Sequence, residues 1–458
     1  MTDGKTVSVA GKPALRDVGA GRRDPVRILQ DLIRFDTTNP PGNESDCVRY
    51  LAALLADAGI AGELIGKDER RLNLVARLPG RGEAPPILLY GHADVVPADP
   101  AGWRFPPFSG ELAEACVWGR GALDMKGAVA MMASALLEAA ASGTPPAGDV
   151  LLAFVADEED CGDFGSRYLV EERPELFAGI RHAIGEIGGF NLRLAGKEFY
   201  PVMVAEKQRC GLRARWRGPS GHGSMPARGS AAAKLGKALA VLDRRRLPVH
   251  ATEPARLMIE ALARGIGGAQ GLMLRALLAP ALSNGILDLM GASGKFFEPI
   301  LRNTVNATVL RAGAKINVVP GEAMADFDAR ILPGYGVAEL LSELRATLAA
   351  GEAEEPELEV LFFDEGPAAP DLSLFGLLSD ILTEAVPDGL PVPFMVSGVT
   401  DARFFSRLGI QTYGFTPMRL PPEVDFSRLI HGTDERVPVE ALGFGARALG
   451  ELIARYRG

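Results

Sequence analysis

Between residues 72 and 189 the chain repeats one pattern, in which short apolar runs alternate with helical stretches. The runs are "LNLVARL", "PILLYGH", "DVLLAFVADEE" and "HAIGEIGG", and the helical stretches are "GAVAMMASALLEAA" and "SRYLVEE". A strand that is apolar without alternation is buried on both faces, and helices of this length supply the crossovers that parallel strands need. The pattern predicts an α/β fold: a mostly parallel central sheet with helices on both faces. In such sheets ligands bind outside the carboxyl ends of the strands. Polar residues just past each strand end are therefore the first candidates for function.

A chain of 458 residues is too long for a single core. Residues 1–23 read as a flexible N-terminal arm, rich in glycine and charge. From Asp24 the segment "DPVRILQDLIRFDTTNPPG" has helical spacing until Thr, Asn and two prolines end it. Near Glu206 the texture changes to strands that alternate apolar with basic or polar residues, as in "CGLRARWRG". The order that follows is strand, helix, two strands, helix, strand, which predicts an inserted α+β lid domain of ferredoxin-like βαββαβ order. The expected division is a first domain in two parts, 24–205 and 367–458, interrupted by a lid at 206–366. Within the lid, residues 248–302 read as a helical insert. They are apolar, yet Arg275, Pro280, Asn284 and Asp288 interrupt every window long enough to cross a bilayer, so no membrane partner is expected.

A formal net charge of -9 with no long basic run argues against a nucleic-acid partner, and Arg244, Arg245 and Arg246 read as a solvated helix end. The four cysteines have no C-x-x-C spacing, which suggests neither a zinc knuckle nor a disulfide framework. Together with an N-terminus lacking a continuous apolar core, this leads to the expectation of a cytoplasmic protein.

Five strand-end and loop sites stand out. His92 and Asp94 follow "ILLYG", Glu158 and Glu159 follow "LLAFVAD", and Glu186 follows "HAIG". Asp124 sits in "GRGALDMKG" before a helix, and His431 sits in "IHGTDE". Each has a plainer reading taken singly: a hydrogen-bonded loop pair, a solvated turn, a glycine turn before a helix cap. Gathered at one rim, imidazoles and carboxylates would repel and desolvate one another unless cations sat among them. Imidazole and carboxylate without thiolate suit zinc, with cobalt or manganese as substitutes. Residues two apart on a strand share a face, so Asp94 is expected to orient the His92 ring through the nitrogen that does not bind metal. Of the adjacent Glu158 and Glu159, one is expected to bind metal and the other to carry protons. His182 and His250 read as structural or exposed.

These motifs, with "PPFSGEL", "SGHGSMP", "INVVPGEAMADFDAR" and "TDARFF", make the chain similar to the dinuclear zinc exopeptidases and deacylases, metallopeptidase family twenty. That family includes aminoacylase, acetylornithine deacetylase, succinyl-diaminopimelate desuccinylase, glutamate carboxypeptidase and carnosinase. The resemblance implies two zinc ions, with His92 and Glu186 on one, Glu159 and His431 on the other, and Asp124 bridging both. It implies Glu158 as general base and Asp94 as the aspartate behind the histidine ligand. His222 matches a lid histidine that acts in the partner subunit's site, which implies a homodimer through the lid. Arg330 and Asn303 resemble lid residues that bind the substrate. Cys116, Val399 and Ile187 depart from the family's commoner residues without touching a ligand position.

The expected activity is hydrolysis of an amide bond in a small substrate, as an exopeptidase of carboxypeptidase or dipeptidase type. The alternative is a deacylase of N-acyl amino acids, and a non-catalytic binding protein is the remote third.

Overall fold

The computed structural model describes residues 7–8 and 18–458. The chain divides into two compact units. The first comprises Met1–Val204, Asp371–Phe394 and Thr400–Gly458, and the second Ala205–Pro370 with Met395–Val399. Of the N-terminal arm expected at 1–23, Val7–Ser8 pair antiparallel with the strand Ala61–Ile65 and Ala20–Arg23 form a helical turn. The remainder, 1–6 and 9–17, lies outside the described residues.

The centre of the first unit is a block of parallel strands. Val150–Val155 pairs with Ile87–His92, which pairs with His182–Gly185, which in turn pairs with Gln411–Gly414, all in parallel. Asn73–Leu78 joins the free edge of Val150–Val155 antiparallel, and Lys197–Glu206 is antiparallel to Gln411–Gly414. The sheet is therefore mixed, with a mostly parallel centre, as the continuous apolar runs predict. Val150–Val155 and Ile87–His92 are buried at every position.

Helix Lys126–Ala141 explains much of this burial. It is apolar around nearly its whole circumference and buries thirteen of its sixteen residues, Lys126 among them. A helix of that kind belongs inside a core. It packs between the sheet and the helices Pro25–Ile33 and Val439–Arg455. Register brings the carboxyl ends of the parallel strands level, with His92 opposite Val155 and Gly185 opposite Gly414. One rim therefore carries His92, the Asp157–Glu159 turn and Glu186.

The second unit is an antiparallel sheet in the order Thr304–Ala312, Glu322–Ile331, Gln208–Arg217, Glu357–Asp364. Helices Ala231–Arg244 and Val337–Ala350 cover one face, and Trp216, Phe327, Leu340 and Leu344 lie in the core between. Chain order and spatial order are those of a βαββαβ fold. Residues 248–302 hold the helices Glu253–Ile266, Gly268–Ala276, Pro280–Met290 and Gly294–Phe297. Among the described residues no helix is long and apolar enough to cross a membrane.

Candidate metal centre

His92 ends its strand with an exposure of only 1%. Its Nε2 lies 3.1 Å from Asp124 Oδ1 and 3.9 Å from Glu186 Oε2. The other oxygen of Asp124 lies 3.1 Å from His431 Nε2, which in turn lies 3.2 Å from Glu159 Oε2. Asp124 thus faces both histidines, one through each carboxylate oxygen. His92, Asp124 and Glu186 form one group of potential ligand atoms and Asp124, Glu159 and His431 another, with the atoms of each group within 4.8 Å of one another. Such a spread suits donors that sit about 2.0–2.2 Å from a common cation.

The surrounding chain holds these side chains in place. Asp124 follows a glycine-rich turn whose backbone is gathered by one buried carboxylate, that of Glu435. The N–H groups of Gly121, Leu123 and Asp124 donate to Glu435, and Arg120 donates to it through Nη1 at 2.7 Å. Arg120 Nη2 also donates to the carbonyl of His431, so one arginine fixes both the Asp124 turn and the His431 loop.

Asp94 lies beside His92 Nδ1, the ring nitrogen that faces away from Asp124 and Glu186. The strand ends at His92, and the backbone carbonyl of Asp94 lies 2.9 Å from His92 Nδ1. That contact sets which ring nitrogen faces the cluster. The Asp94 carboxylate stands 3.6 Å from the ring. It also accepts the backbone N–H groups of Glu158 and Glu159, each at 3.1 Å, and the Asn39 amide at 2.9 Å. Asp94 therefore positions the Glu158–Glu159 turn as well as the histidine.

A buried ionic chain stands behind this turn. Asp157 has φ 68°, in the left-handed region that aspartate tolerates better than most residues. It accepts from Asn39 Nδ2 at 3.0 Å and pairs with Arg71 at 2.9 Å, and Arg71 pairs with Glu44 at 2.6 Å. Glu44, Arg71, Asn39 and Asp157 are all buried. A pair of this kind is costly to break from one side, by about 3–5 kcal/mol, because an uncompensated charge is left in the interior. None of Asn39, Glu44, Arg71, Asp157 or Glu435 stood out in the sequence as a site residue. For Asn39, Glu44 and Glu435 the available signal was their place in "TNPPGNE" and "HGTDE", read there as a helix stop and as the setting of His431, and for Asp157 its place directly before Glu158; Arg71 had none.

The electrostatics describe a cluster short of positive charge. Burial pushes the carboxyl of Glu186 well above the usual range, and the neighbouring carboxylates of Glu158 and Asp124 add to it. Burial does the same to Glu158, with Asp401 and Glu159 adding and His92 opposing. Burial also lifts Asp401, to about 6, although Arg403 and a hydrogen bond from Ser166 resist. The histidines show the converse. Hydrogen bonds to Asp124 and Glu159 hold the His431 imidazole up at about 10. Burial works against charge on His92, yet Asp124 and Asp94 hold its pKa well above the ordinary imidazole range.

Glu159 Oε1 is buried and has no hydrogen-bond partner among the described residues. A buried carboxylate oxygen without a donor is costly unless a cation meets it. The donor set, the carboxylate shared by two histidines and this orphaned oxygen all fit a pair of metal ions. His92 and Glu186 would hold one and Glu159 and His431 the other, with Asp124 between them.

The lid residues fare unevenly. Asn303 is a correction: it is fully buried, its amide donates to Glu343 Oε2 at 3.0 Å, and its carbonyl accepts from Leu332 N–H at 2.8 Å. Its side chain stitches the second unit together and is not open to a substrate. Arg330 is half-buried and makes two hydrogen bonds to Asp328, at 2.7 and 2.9 Å. His222 is exposed, on the short strand Gly221–His222, with Nδ1 2.8 Å from Ser224 Oγ. His182 is buried between Tyr456 and Ser373, and His250 Nε2 lies 2.6 Å from Glu343 Oε1, so both are structural.

Residues 88–455 match the sequence model described as Peptidase family M20/M25/M40. The human "N-fatty-acyl-amino acid synthase/hydrolase PM20D1" is 30% identical over 384 residues, covering 80% of this chain and 73% of the relative. The succinyl-diaminopimelate desuccinylase of Paracoccus denitrificans is 29% identical, covering 94% of this chain and 98% of the relative. Among solved structures, an M20 family metallo-carboxypeptidase from Sulfolobus solfataricus superposes with a TM-score of 0.66 at 17% identity, covering 94% of this chain and 98% of the other.

Proposed function

Because this chain belongs to peptidase family M20/M25/M40, we propose that it hydrolyses the amide bond of N-acyl amino acids, using the cluster around Asp124. As a member it is an enzyme of the metallopeptidase and amidohydrolase class. The observation that carries the reading is the presentation of one Asp124 oxygen to each of His92 and His431, with Glu158 set beside the ligands. Two relatives of high coverage are named for hydrolysis of acylated substrates, which favours the deacylase over the exopeptidase that the sequence alone put first.

Zinc is the proposed metal, with cobalt or manganese as workable replacements, because the donors are imidazole and carboxylate only. When bound, such ions supply Lewis acidity and make water a stronger acid. The rest falls to the protein. Glu158 takes a proton from the attacking water and returns it to the departing amine. The Asp94 carboxylate keeps the Glu158–Glu159 backbone in place, so the base and its neighbouring ligand cannot drift apart. Arg330 grips the amino acid carboxylate with Nη1, the nitrogen outside its pair with Asp328. In the proposed dimer His222 of one copy donates to the oxyanion in the other copy's site. The free thiols Cys47, Cys116, Cys161 and Cys210 suit a reducing compartment, and we place the enzyme in the cytoplasm on that ground.

A hydrolysis screen tests the substrate class. N-acyl amino acids with short and long acyl groups should be cleaved with kcat/KM at least about tenfold above dipeptides, a margin of one modest pocket contact. Dipeptide turnover equal to or above this restores the exopeptidase reading. The dimer has a separate check. Mixing His222→Ala with Glu158→Ala protein should recover activity, since one site of each hybrid has both an intact Glu158 and an intact His222; inactivity in demonstrably mixed dimers removes His222 from the site.

A further inference from the structure

The helical insert exposes large apolar side chains that the hydrolytic site does not use. Leu272 is 69% exposed, Leu282 55%, Leu289 76% and Phe296 44%. They lie on three helices that pack in series: Gly268–Ala276 against Pro280–Met290, and that helix against Gly294–Phe297. On the middle helix Leu282, Ile286 and Leu289 fall at i, i+4 and i+7, one face of an α-helix with Ile286 half-buried and the two leucines exposed, whereas Leu287 is buried further round the helix. Leu287 seats the helix on its neighbours, and the face that carries Leu282 and Leu289 is left uncovered. Scattered exposed leucines need no explanation, but four large apolar side chains exposed on three helices packed in series mark a candidate surface for a partner.

Charge decides between occupants. From Gly267 to Phe297 the only ionisable side chains are Arg275, Asp288 and Lys295. Asp288 is engaged by Arg246 at 2.7 Å. Arg275 and Lys295 are exposed and have no ion-pair partner among the described residues. A second copy of the same segment would bring the same two cations to the contact and no acid outside an ion pair. An anionic lipid surface offers the complement, with hydrocarbon for the leucines and phenylalanine and headgroup phosphate for the two cations.

We infer that the strip Leu272, Leu282, Leu289 and Phe296, flanked by Arg275 and Lys295, docks the enzyme peripherally on an anionic phospholipid bilayer. This departs from the expectation of no membrane partner, which rested on the absence of a crossing segment; docking requires none. Its purpose rests on the proposed acyl-amino-acid activity: amphiphilic substrates with long acyl chains gather in bilayers, and an enzyme seated there meets them at high local concentration.

The test is co-sedimentation of the whole protein with vesicles of phosphatidylcholine, with and without phosphatidylglycerol. Binding is expected to the phosphatidylglycerol vesicles and to weaken with salt. Leu282→Ser/Leu289→Ser should lower the vesicle-bound partition by about tenfold or more. Arg275→Gln/Lys295→Gln should remove most of the salt dependence. Both variants should keep wild-type kcat/KM on a short-acyl, water-soluble substrate, which shows that they fold. Wild-type protein that stays in the supernatant with every vesicle overturns the proposal. So does a leucine variant that binds vesicles as before but turns a dimer into a monomer in sedimentation velocity, since the strip would then be a contact between copies. Hydrolysis of long-acyl substrates without vesicle binding sinks the docking alone; vesicle binding without that hydrolysis sinks the substrate reading and leaves the docking standing.

Discussion

Glu158→Gln leaves both metal ions bound and lowers kcat by about three orders of magnitude or more. Glutamine has the shape of glutamate and can accept the same neighbours, but it carries no proton at any pH of interest. The backbone of residue 158 stays tied to Asp94 Oδ1, so the turn is not disturbed. Glu158 belongs to neither ligand group, which is why the metal should remain. General base catalysis contributes on the order of 10²–10⁴ in rate, and three orders correspond to about 4 kcal/mol in the barrier. Steady-state kinetics alongside elemental analysis of the same preparation checks both halves. Full activity in Glu158→Gln would remove this residue from the proton path, and lost metal would make it a ligand instead.

Asp124→Ala has the largest expected effect on the metal content itself, because Asp124 is the one side chain common to the two groups. The loss should extend to both ions, whereas Glu186→Ala should release chiefly the ion on the His92 side and Glu159→Ala chiefly that on the His431 side. Three ligand carboxylates against two dications leave about one net positive charge; without Asp124 the ions also lose the anion that screens them from each other. Hydrolysis should fall to background and should not return on adding zinc at concentrations that restore chelator-treated wild-type protein. Retention of two equivalents of metal by Asp124→Ala would overturn the shared-ligand arrangement.

The site was legible where chemistry follows directly on a strand. His92, Glu158, Glu159 and Glu186 all lie within a few residues of a buried apolar run, and a parallel sheet brings such ends to one rim. Asp124 and His431 follow no strand of that block, and it was their motifs that marked them. The supporting residues were not legible because their partners are remote in the chain. Asn39 and Asp94 are 55 residues apart, and Arg120 and Glu435 are 315 apart. Asp94 shows what a local rule leaves out: its place beside His92 Nδ1 follows from a spacing of two, but its hold on the Glu158–Glu159 backbone spans more than sixty residues. Asn303 fails for another reason, since a polar residue next to a strand can be satisfied inside as well as outside.

By itself the sequence determined the class of fold and the kinds of atom available to a metal, because apolar periodicity and side-chain chemistry are local properties of the chain. Tertiary structure alone decided which oxygen faces which nitrogen, that Asp94 governs the Glu158–Glu159 backbone, and that Asn303 is sealed away. Those outcomes depend on where burial forces distant polar groups to find partners, and no local pattern encodes that pairing.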